Sequence, residues 1–402
     1  MPNKFSISAD LIIGFLGSGQ LARMSAAAAM RMGIRVASYS GSSKTERDAD
    51  YTTPTEKLHL EPLDWMTPLS YPGAFSDEAA LVHFARACDL VTLENEFLDG
   101  QILSHVASLS GTPILPSPSS FLKLESKWLE KETFRNAGIP VTPYQKISNI
   151  DDLERVAKRF SFPFVLKSSK GGYDGYGNKT VRSPDELEMA FTSLGGQAGR
   201  ELIAESFIPF KMELAVQIAR NRTGYVVYPC CETIQKGHIC KTVIAPARID
   251  RSISEEACAM AVSAMEAIDG TGLFAFEFFL TEDNTLYLNE SAPRPHNSGH
   301  YTIEGCHTSQ FENHIRAILG LPLGSTEMRR PVAVMENLLG IYDRSAITET
   351  EDEVWLSPDT HLHVYGKQRS RTGRKMGHLT VLGDDYETTA ALAASLSAKI
   401  SI

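Results

Sequence analysis

Two glutamates, Glu277 and Glu290, raise the first chemical question. They lie in GLFAFEFFL–TEDN–TLYLNE, two apolar runs around a polar turn, which is the pattern of a β-hairpin. A loop made of EDNT sets Thr281 opposite Leu286, and therefore Glu277 opposite Glu290. Like charges directly across a strand pair repel. Between apolar strands, with Phe276 and Phe278 alongside, neither carboxylate ionises cheaply. A divalent cation removes the conflict, because Mg²⁺ takes hard oxygen ligands and is usually completed by nucleotide phosphates. Asn289, next to Glu290, offers a further oxygen. Two solvated carboxylates on an exposed face is the plainer alternative.

The hairpin runs on into LNESAPRPHNSGHY, where Arg294 and His296 stand between and after prolines that stiffen the backbone. SSKGGYDGYGN puts four glycines within residues 171–177, between two expected strands. Such a loop can turn backbone N–H groups to an anion or flex as a lid. It is not a Walker loop, since no GK[ST] follows the glycines. Lys167, at the end of the preceding strand, can meet phosphate oxygens as a point charge. Near the N-terminus, GSGQLA follows a strand and opens a helix, but no acidic residue stands about 20 residues on to hold a ribose. The pattern fits a helix N-terminus that accepts an anion, or close strand–helix packing, better than a dinucleotide site. Finally, GKQRSRTGRK gathers five cations in a chain of net charge −10. That is a natural phosphate site at a hairpin tip, or else a solvated charged loop.

Elements that could position these groups are legible around them. LIIGFLG, IRVASYS and LVTLENE read as strands, and QLARMSAAAAMRMG and DEAALVHFARACD as helices, which predicts a doubly wound α/β domain. Residues 51–75 look irregular, and the proline-rich GTPILPSPSS reads as a boundary. One helix is expected over FLKLESKWLEKETFRNA, capped by Ser119 or Ser120, with Lys123, Lys127 and Lys131 on one face. Strands follow at FPFVLK, KTVR, ELIAESF, MELAVQIAR, GYVVYP and HICKTVIAPARI, with a helix at SEEACAMAVSAMEAI before the hairpin. Another helix, SQFENHIRAILG, precedes a strand-rich tail over residues 331–383.

Composition narrows the function classes. The acidic balance argues against general nucleic-acid or anionic-membrane binding. No apolar run approaches a bilayer span and no signal peptide is legible, so a cytoplasmic protein is expected. The six cysteines are scattered without a CxxC pair and read as reduced thiols, with Cys230-Cys231 as small residues buried in a strand. No nucleophilic triad or zinc spacing is evident.

Taken in order, LGSGQLARM, VLKSSKGGYDGYGN, FEFFL with LNESAPRPHNSGHYTIEGC, and GRKMGHLTV resemble the ATP-grasp N5-carboxyaminoimidazole ribonucleotide synthetases over about residues 11–383. The resemblance implies a mixed α/β and α+β architecture in three parts. These are an N-terminal Rossmann-like pre-ATP-grasp domain (1–117), an ATP-grasp domain (118–320, with a lid at about 140–200) and a β-rich C-terminal domain (321–402). It further implies a homodimer in de novo purine (IMP) biosynthesis that uses ATP, bicarbonate and 5-aminoimidazole ribonucleotide with Mg²⁺, or Mn²⁺ in its place.

Carried over by position, ATP lies against Lys127, Lys167 and the loop Gly172, Tyr173, Asp174, Gly175, Tyr176, Gly177 and Asn178. Its adenine meets the backbone of Glu205, Ser206, Phe207 and Ile208, Glu213 holds the ribose, and Gln235 lies nearby. Asn289 and Glu290 complete the ATP side, with Glu277 and Glu290 on the metal. The ribonucleotide meets Gln20, Leu21, Glu94, Tyr173, Asp174, Arg294, His296 and Asn297, with Lys367 and Arg374 on its phosphate. Asp174, His296 and Arg294 are the catalytic candidates. Tyr176 stands where relatives often carry Arg. A formate-dependent glycinamide ribonucleotide transformylase, which has Asp after RPH where this chain has Asn297, and a non-catalytic nucleotide-binding regulator are the competing readings.

Overall fold

Strand–helix alternation builds the N-terminal layer, as the pattern predicts. A computed structural model describes residues 5–41, 61–96, 98–171 and 177–402 of the chain. Strands β1 (Ile12–Leu16), β2 (Arg35–Ser40), β3 (Ser70–Pro72), β4 (Leu90–Leu93) and β5 (Ile114–Leu115) form a parallel sheet in the order β3-β2-β1-β4-β5. Helix Gln20–Arg31 buries Ala22, Ala26 and Ala29 against this sheet and ends before Gly33, whose φ of 77° suits a left-handed stop. Two strands of this sheet escaped the sequence reading. β3 hides in the stretch taken as irregular, and β5 in the proline-rich run taken as a boundary. Both are too short to carry an alternating pattern. Residues 42–60 lie outside the described residues. Helix Gly100–Ser110, capped by Asp99, was missed as well.

The single helix expected over residues 121–137 is two. Pro118–Leu122 is capped by Ser117, and Lys127–Asn136 by Ser126, whose hydroxyl accepts from the Leu129 amide. A serine at the N-cap competes well enough with helix continuation to restart the chain there. Lys123 accordingly falls off the shared face and donates to the Ala267 carbonyl at 2.9 Å. Lys127 and Lys131 keep the face.

Four strands, β6 (Tyr144–Ile147), β7 (Phe164–Ser168), β8 (Asn178–Val181) and β9 (Leu202–Ser206), form an antiparallel sheet ordered β6-β9-β7-β8. Helix Ile150–Phe160, unexpected from the sequence, packs Leu153 and Val156 into the core beneath it. The chain then makes β10 (Phe210–Asn221), β11 (Gly224–Val227), β12 (Cys231–Lys236), β13 (Ile239–Ala245), β14 (Gly272–Thr281) and β15 (Leu286–Ala292). The tail adds β16 (Val332–Leu339), β17 (Arg344–Ser345), β18 (Glu349–Thr350), β19 (Thr360–Val364), β20 (Arg369–Ser370), β21 (Lys375–Gly383) and β22 (Ile400–Ser401). Strands β15-β14-β10-β12-β13-β16-β21-β19 run as one sheet, with β11 on β10, so the tail extends the same sheet that carries the hairpin.

Helix Arg251–Ile268 lays Ala257, Ala261, Ala264 and Met265 on Phe274, Phe276 and Phe278. Strand alternation therefore turns Ala275, Glu277 and Phe279 to the opposite face. Cys231 opens β12 with Cys230 just before it; both are buried, and all six cysteines are free. No helix among the described residues is long and apolar enough to cross a membrane.

Candidate active site

Glu277 does pair with Glu290, though not by the route expected. Leu280 faces Leu286 and the Thr281 amide donates to the Thr285 carbonyl at 3.0 Å, so residues 282–284 form the turn, and this register alone would set Glu277 opposite Asn289. A bulge between Phe278 and Glu277 absorbs Asn289 and brings Glu290 into place. Lys127 Nζ lies 2.8 Å from Glu290 Oε1. Solvent reaches 43% of the Glu290 side chain, yet its carboxylate feels the charges of Lys127, Lys167 and Glu205 around it. Burial opposes its ionisation, but Lys127 and then Lys167 hold it below the usual carboxylate range. Burial pushes Glu277 the other way, and Glu290 and Glu213 add to it, to about 8.

The donor set suits a hard divalent cation. All its atoms are oxygens, Glu277 is kept protonated only by crowding, and the buried Asn289 Oδ1 has no hydrogen-bond partner. No group of three or more His, Cys, Asp or Glu among the described residues is arranged to hold a metal. An ion here would take two carboxylates, an amide oxygen and ligand phosphates, which is the habit of Mg²⁺.

Behind the hairpin, Glu205 on β9 accepts from Lys167 Nζ at 3.0 Å and Thr142 Oγ1 at 2.8 Å, with Lys131 Nζ at 3.4 Å. Burial alone would raise its carboxyl, but Lys131 and Lys167 hold it at about 2. Lys131 also donates to the Asn289 carbonyl at 3.0 Å. One buried node thus ties β9 to the hairpin. Glu205 lies between Tyr144 and Val165 in the ladder, and Ser206 donates its amide to Pro143. Phe207 is exposed and Ile208 half-buried, on the loop that leads to Phe210, which stacks on Phe279 at 4.5 Å. Glu213 faces the same side as Glu277, and burial lifts its carboxyl to about 6 despite a hydrogen bond to Gln235. Gly177 accepts from the Ser168 amide at 2.8 Å, and Asn178 sits opposite Lys167. Gly172, Tyr173, Asp174, Gly175 and Tyr176 lie outside the described residues.

The first layer supplies the other half. Glu94, just past β4, accepts from the Gly19 amide at 2.6 Å and the Leu21 amide at 3.2 Å. The helix N-terminus does accept an anion, and the anion is the chain's own carboxylate. A Cβ at Gly19 would come within 2.3 Å of Glu94 Oε1, so these glycines are there to let Glu94 in. Gln20, Leu21, Phe75, Glu94, Asn95 and Arg294 line a cavity of about 390 Å³. Arg294 is gripped by both oxygens of Glu96, with Nη2 at 2.8 Å from Oε1.

His296 joins the halves. Its Nδ1 stands 3.4 Å from Glu277 Oε1 and 2.8 Å from Ser298 Oγ. Burial, helped by Arg294 and Lys375, depresses its pKa well below the usual imidazole range, so it is a neutral ring. Asn297 is less available than expected. Its amide exchanges two hydrogen bonds with Asn337, at 2.8 and 2.7 Å. Lys367 donates to the Lys375 carbonyl at 2.7 Å, and burial with Arg374 nearby brings it to about 7. Burial lowers Arg374 too, and it donates to the Arg369 carbonyl at 2.8 Å. Lys367, Arg374 and Lys375 of the basic loop are half-buried, whereas Arg369 and Arg371 face solvent.

Sequence reasoning missed Glu96 and Glu130, and it placed Lys131 on the lysine face without giving it a part in the site. Glu130 accepts from the Ser291 amide at 2.6 Å, and burial raises it to about 7. Its signal was its place one turn into a serine-capped helix, next to the Lys127–Lys131 face. Glu96 could have been found as the second carboxylate of LENE, two residues on from Glu94.

A four-stranded antiparallel sheet beside a larger one, with two facing carboxylates, Lys127 on one of them and Lys167 on a buried glutamate, defines an ATP-grasp ligase. The sequence matches the ATP-grasp domain over residues 132–311, the ribonucleotide synthetase preATP-grasp domain over 11–123, and the phosphoribosylaminoimidazole carboxylase C-terminal domain over 333–392. It is 36% identical to the N5-carboxyaminoimidazole ribonucleotide synthase of Synechococcus elongatus, covering 94% of this chain and 91% of that one. It is 37% identical to the phosphoribosylaminoimidazole carboxylase of Schizosaccharomyces pombe, but spans only 66% of that longer protein. The crystal structure of the Aspergillus clavatus synthase in complex with ADP and 5-aminoimidazole ribonucleotide superposes with a TM-score of 0.83 at 33% identity, over 97% of this chain and 98% of that one. The chain belongs to the N5-carboxyaminoimidazole ribonucleotide synthase family.

Proposed function

We propose that the protein uses ATP and bicarbonate to carboxylate the exocyclic amine of 5-aminoimidazole ribonucleotide, releasing ADP and phosphate. The observation that carries this reading is the seam at Glu277, His296 and Arg294, where the carboxylate cleft meets the cavity at Glu94. Two substrates held on either side of one imidazole is what such a transfer needs.

In this reading ATP lies between the lid sheet and the hairpin. Lys127 and Lys167 meet phosphate oxygens, the Phe207–Ile208 loop takes the adenine, and Glu213 takes the ribose. Glu277, Glu290 and Asn289 hold Mg²⁺, or Mn²⁺ in its place, which neutralises phosphate charge when bound. A bicarbonate oxygen bonds to the γ-phosphorus as ADP leaves, giving carboxyphosphate. The amine nitrogen then bonds to the carbonyl carbon, of carboxyphosphate or of the CO₂ it releases, as phosphate departs and the amine gives up a proton. His296, a neutral ring, is suited to take that proton, with Asp174 as the other candidate. Gln20, Leu21, Glu94 and Arg294 hold the ribonucleotide, Asn297 braces the turn, and Lys367 and Arg374 take its phosphate. The reading includes a cytoplasmic homodimer in de novo purine synthesis, with domains near 1–117, 118–320 and 321–402.

ADP release by the purified protein tests it, with the acceptor pair varied. Turnover is expected with 5-aminoimidazole ribonucleotide plus bicarbonate. Turnover only with glycinamide ribonucleotide plus formate would make the protein a transformylase, and none with either, despite tight ATP binding, would make it a regulator.

A further inference from the structure

Imidazole rings are costly to bury with bare nitrogens. Behind the ribonucleotide cavity the chain nevertheless buries two, His300 and His378, each fully removed from solvent. Their ring centroids lie 5.0 Å apart, and His378 also stacks on His363 at 4.5 Å. The Nε2 atoms of His300 and His378, with Thr380 Oγ1, are buried without a hydrogen-bond partner. Phenylalanine would fill the same space without leaving polar atoms bare. Packing alone therefore does not account for the histidines. The contacts that their other nitrogens make do.

The Tyr365 hydroxyl lies 3.0 Å from His378 Nδ1, and the Tyr365 ring lies under the Lys367 ammonium, 5.7 Å from its centroid. On the other side, Gln310 clamps the His296 backbone. The His296 amide donates to Gln310 Oε1 at 3.0 Å, which fixes the orientation of the amide, and Gln310 Nε2 donates to the His296 carbonyl at 2.7 Å. The same Nε2 donates to His300 Nδ1 at 3.1 Å, so His300 carries its proton on Nε2. The ring pair thus sits between two side chains assigned to the ribonucleotide and touches neither.

We infer that His378 is a positioning residue for the ribonucleotide pocket, holding Lys367 through Tyr365 and steadying the His296 turn through His300 and Gln310. The inference rests on the proposed ribonucleotide reading. Lys367 needs such a hold. Its ammonium is half-buried and donates to a main-chain carbonyl, and the Tyr365 ring beneath it is the side-chain contact that completes its orientation.

The test uses Tyr365→Phe, which removes one oxygen, and His378→Phe, with His378→Asn as the conservative variant whose Oδ1 can replace Nδ1. Each phenylalanine variant is expected to raise KM for the ribonucleotide about tenfold while moving KM for ATP less than about twofold, and His378→Asn is expected to recover most of the loss. The riboside lacking the phosphate should be used equally by wild type and Tyr365→Phe, because the effect passes through Lys367. Equal losses with the riboside, or parallel rises in both KM values, would overturn the inference. Calorimetric titration of inorganic phosphate into wild type and Tyr365→Phe needs no turnover and separates the two claims. Weaker phosphate binding by the variant supports the positioning role, and equal binding refutes it, even if the wild type proves inactive on the ribonucleotide.

Discussion

Glu277 and Glu290 face each other across one rung, yet their carboxyls shift in opposite directions. The difference is Lys127, which bonds to Glu290 at 2.8 Å and leaves Glu277 to the repulsion of its neighbours. Glu290 is therefore the ionised member on which metal and phosphate binding depend. Glu290→Gln keeps the shape and removes the charge. ATP-dependent turnover is expected to fall by about a hundredfold or more, while the thermal midpoint stays within a few degrees. Normal turnover in that variant would refute the metal assignment. At this scale the sequence was informative where chemistry and local pattern coincide. Glu277, Glu290, Arg294 and His296 do converge. The tie on Asn297 was not legible, because nothing in NSGH announces that Asn337, forty residues on, bonds to its amide.

Elements set these side chains by small irregularities rather than by regular geometry. The facing of Glu277 and Glu290 was expected for the wrong reason. The turn is one residue shorter than EDNT, because Thr285 pairs back to Thr281, and the bulge at Asn289 makes up the difference. Turn length and bulge position are decided by cross-strand packing, which a single strand's pattern does not contain. The helix break at Ser126 has the same origin, since a capping serine and an interior serine read alike. At the first helix, the glycines of GSGQ exist for Glu94. Gly19→Ala should push the Glu94 carboxylate away from the Gly19 and Leu21 amides. The expected result is a raised KM for the ribonucleotide with KM for ATP unchanged, and partial recovery when Glu94→Asp is added. An unaltered KM would show that Glu94 does not need that position.

Across the whole molecule, one buried histidine links the first layer to the hairpin sheet. His314 accepts from the Leu273 amide at Nδ1, 3.2 Å away, and so presents Nε2–H to Thr92 Oγ1 at 2.9 Å. Thr92 precedes Glu94 by two residues, and Leu273 is the second residue of the strand that carries Glu277, so the contact couples the two substrate sides. Burial lowers its pKa from 6.5 to about 4. The unfolded chain thus takes up this proton first. The contribution of His314 to stability is complete above about pH 6.5 and is lost as pH falls toward 4. Glu130, Glu213 and Glu277 have raised carboxyls and gain stability over part of the same range, so the wild-type profile alone is a sum of opposing trends. The difference between wild type and His314→Gln isolates the effect. The wild type should lose thermal stability relative to the variant between pH 6.5 and 4, and parallel profiles would contradict the assignment.

The layered order of strands and helices was legible because periodicity survives at domain scale. The joining of the tail strands to the hairpin sheet was not, since it rests on β13 pairing with β16 across about ninety residues.

The most direct test of the central claim follows isotope-labelled bicarbonate into product. With ATP, Mg²⁺ and 5-aminoimidazole ribonucleotide, the label is expected on the exocyclic nitrogen as a carbamate, one for each ADP released, and only when the ribonucleotide is present. ADP released without label transfer, or label transfer that does not require ATP, would contradict it.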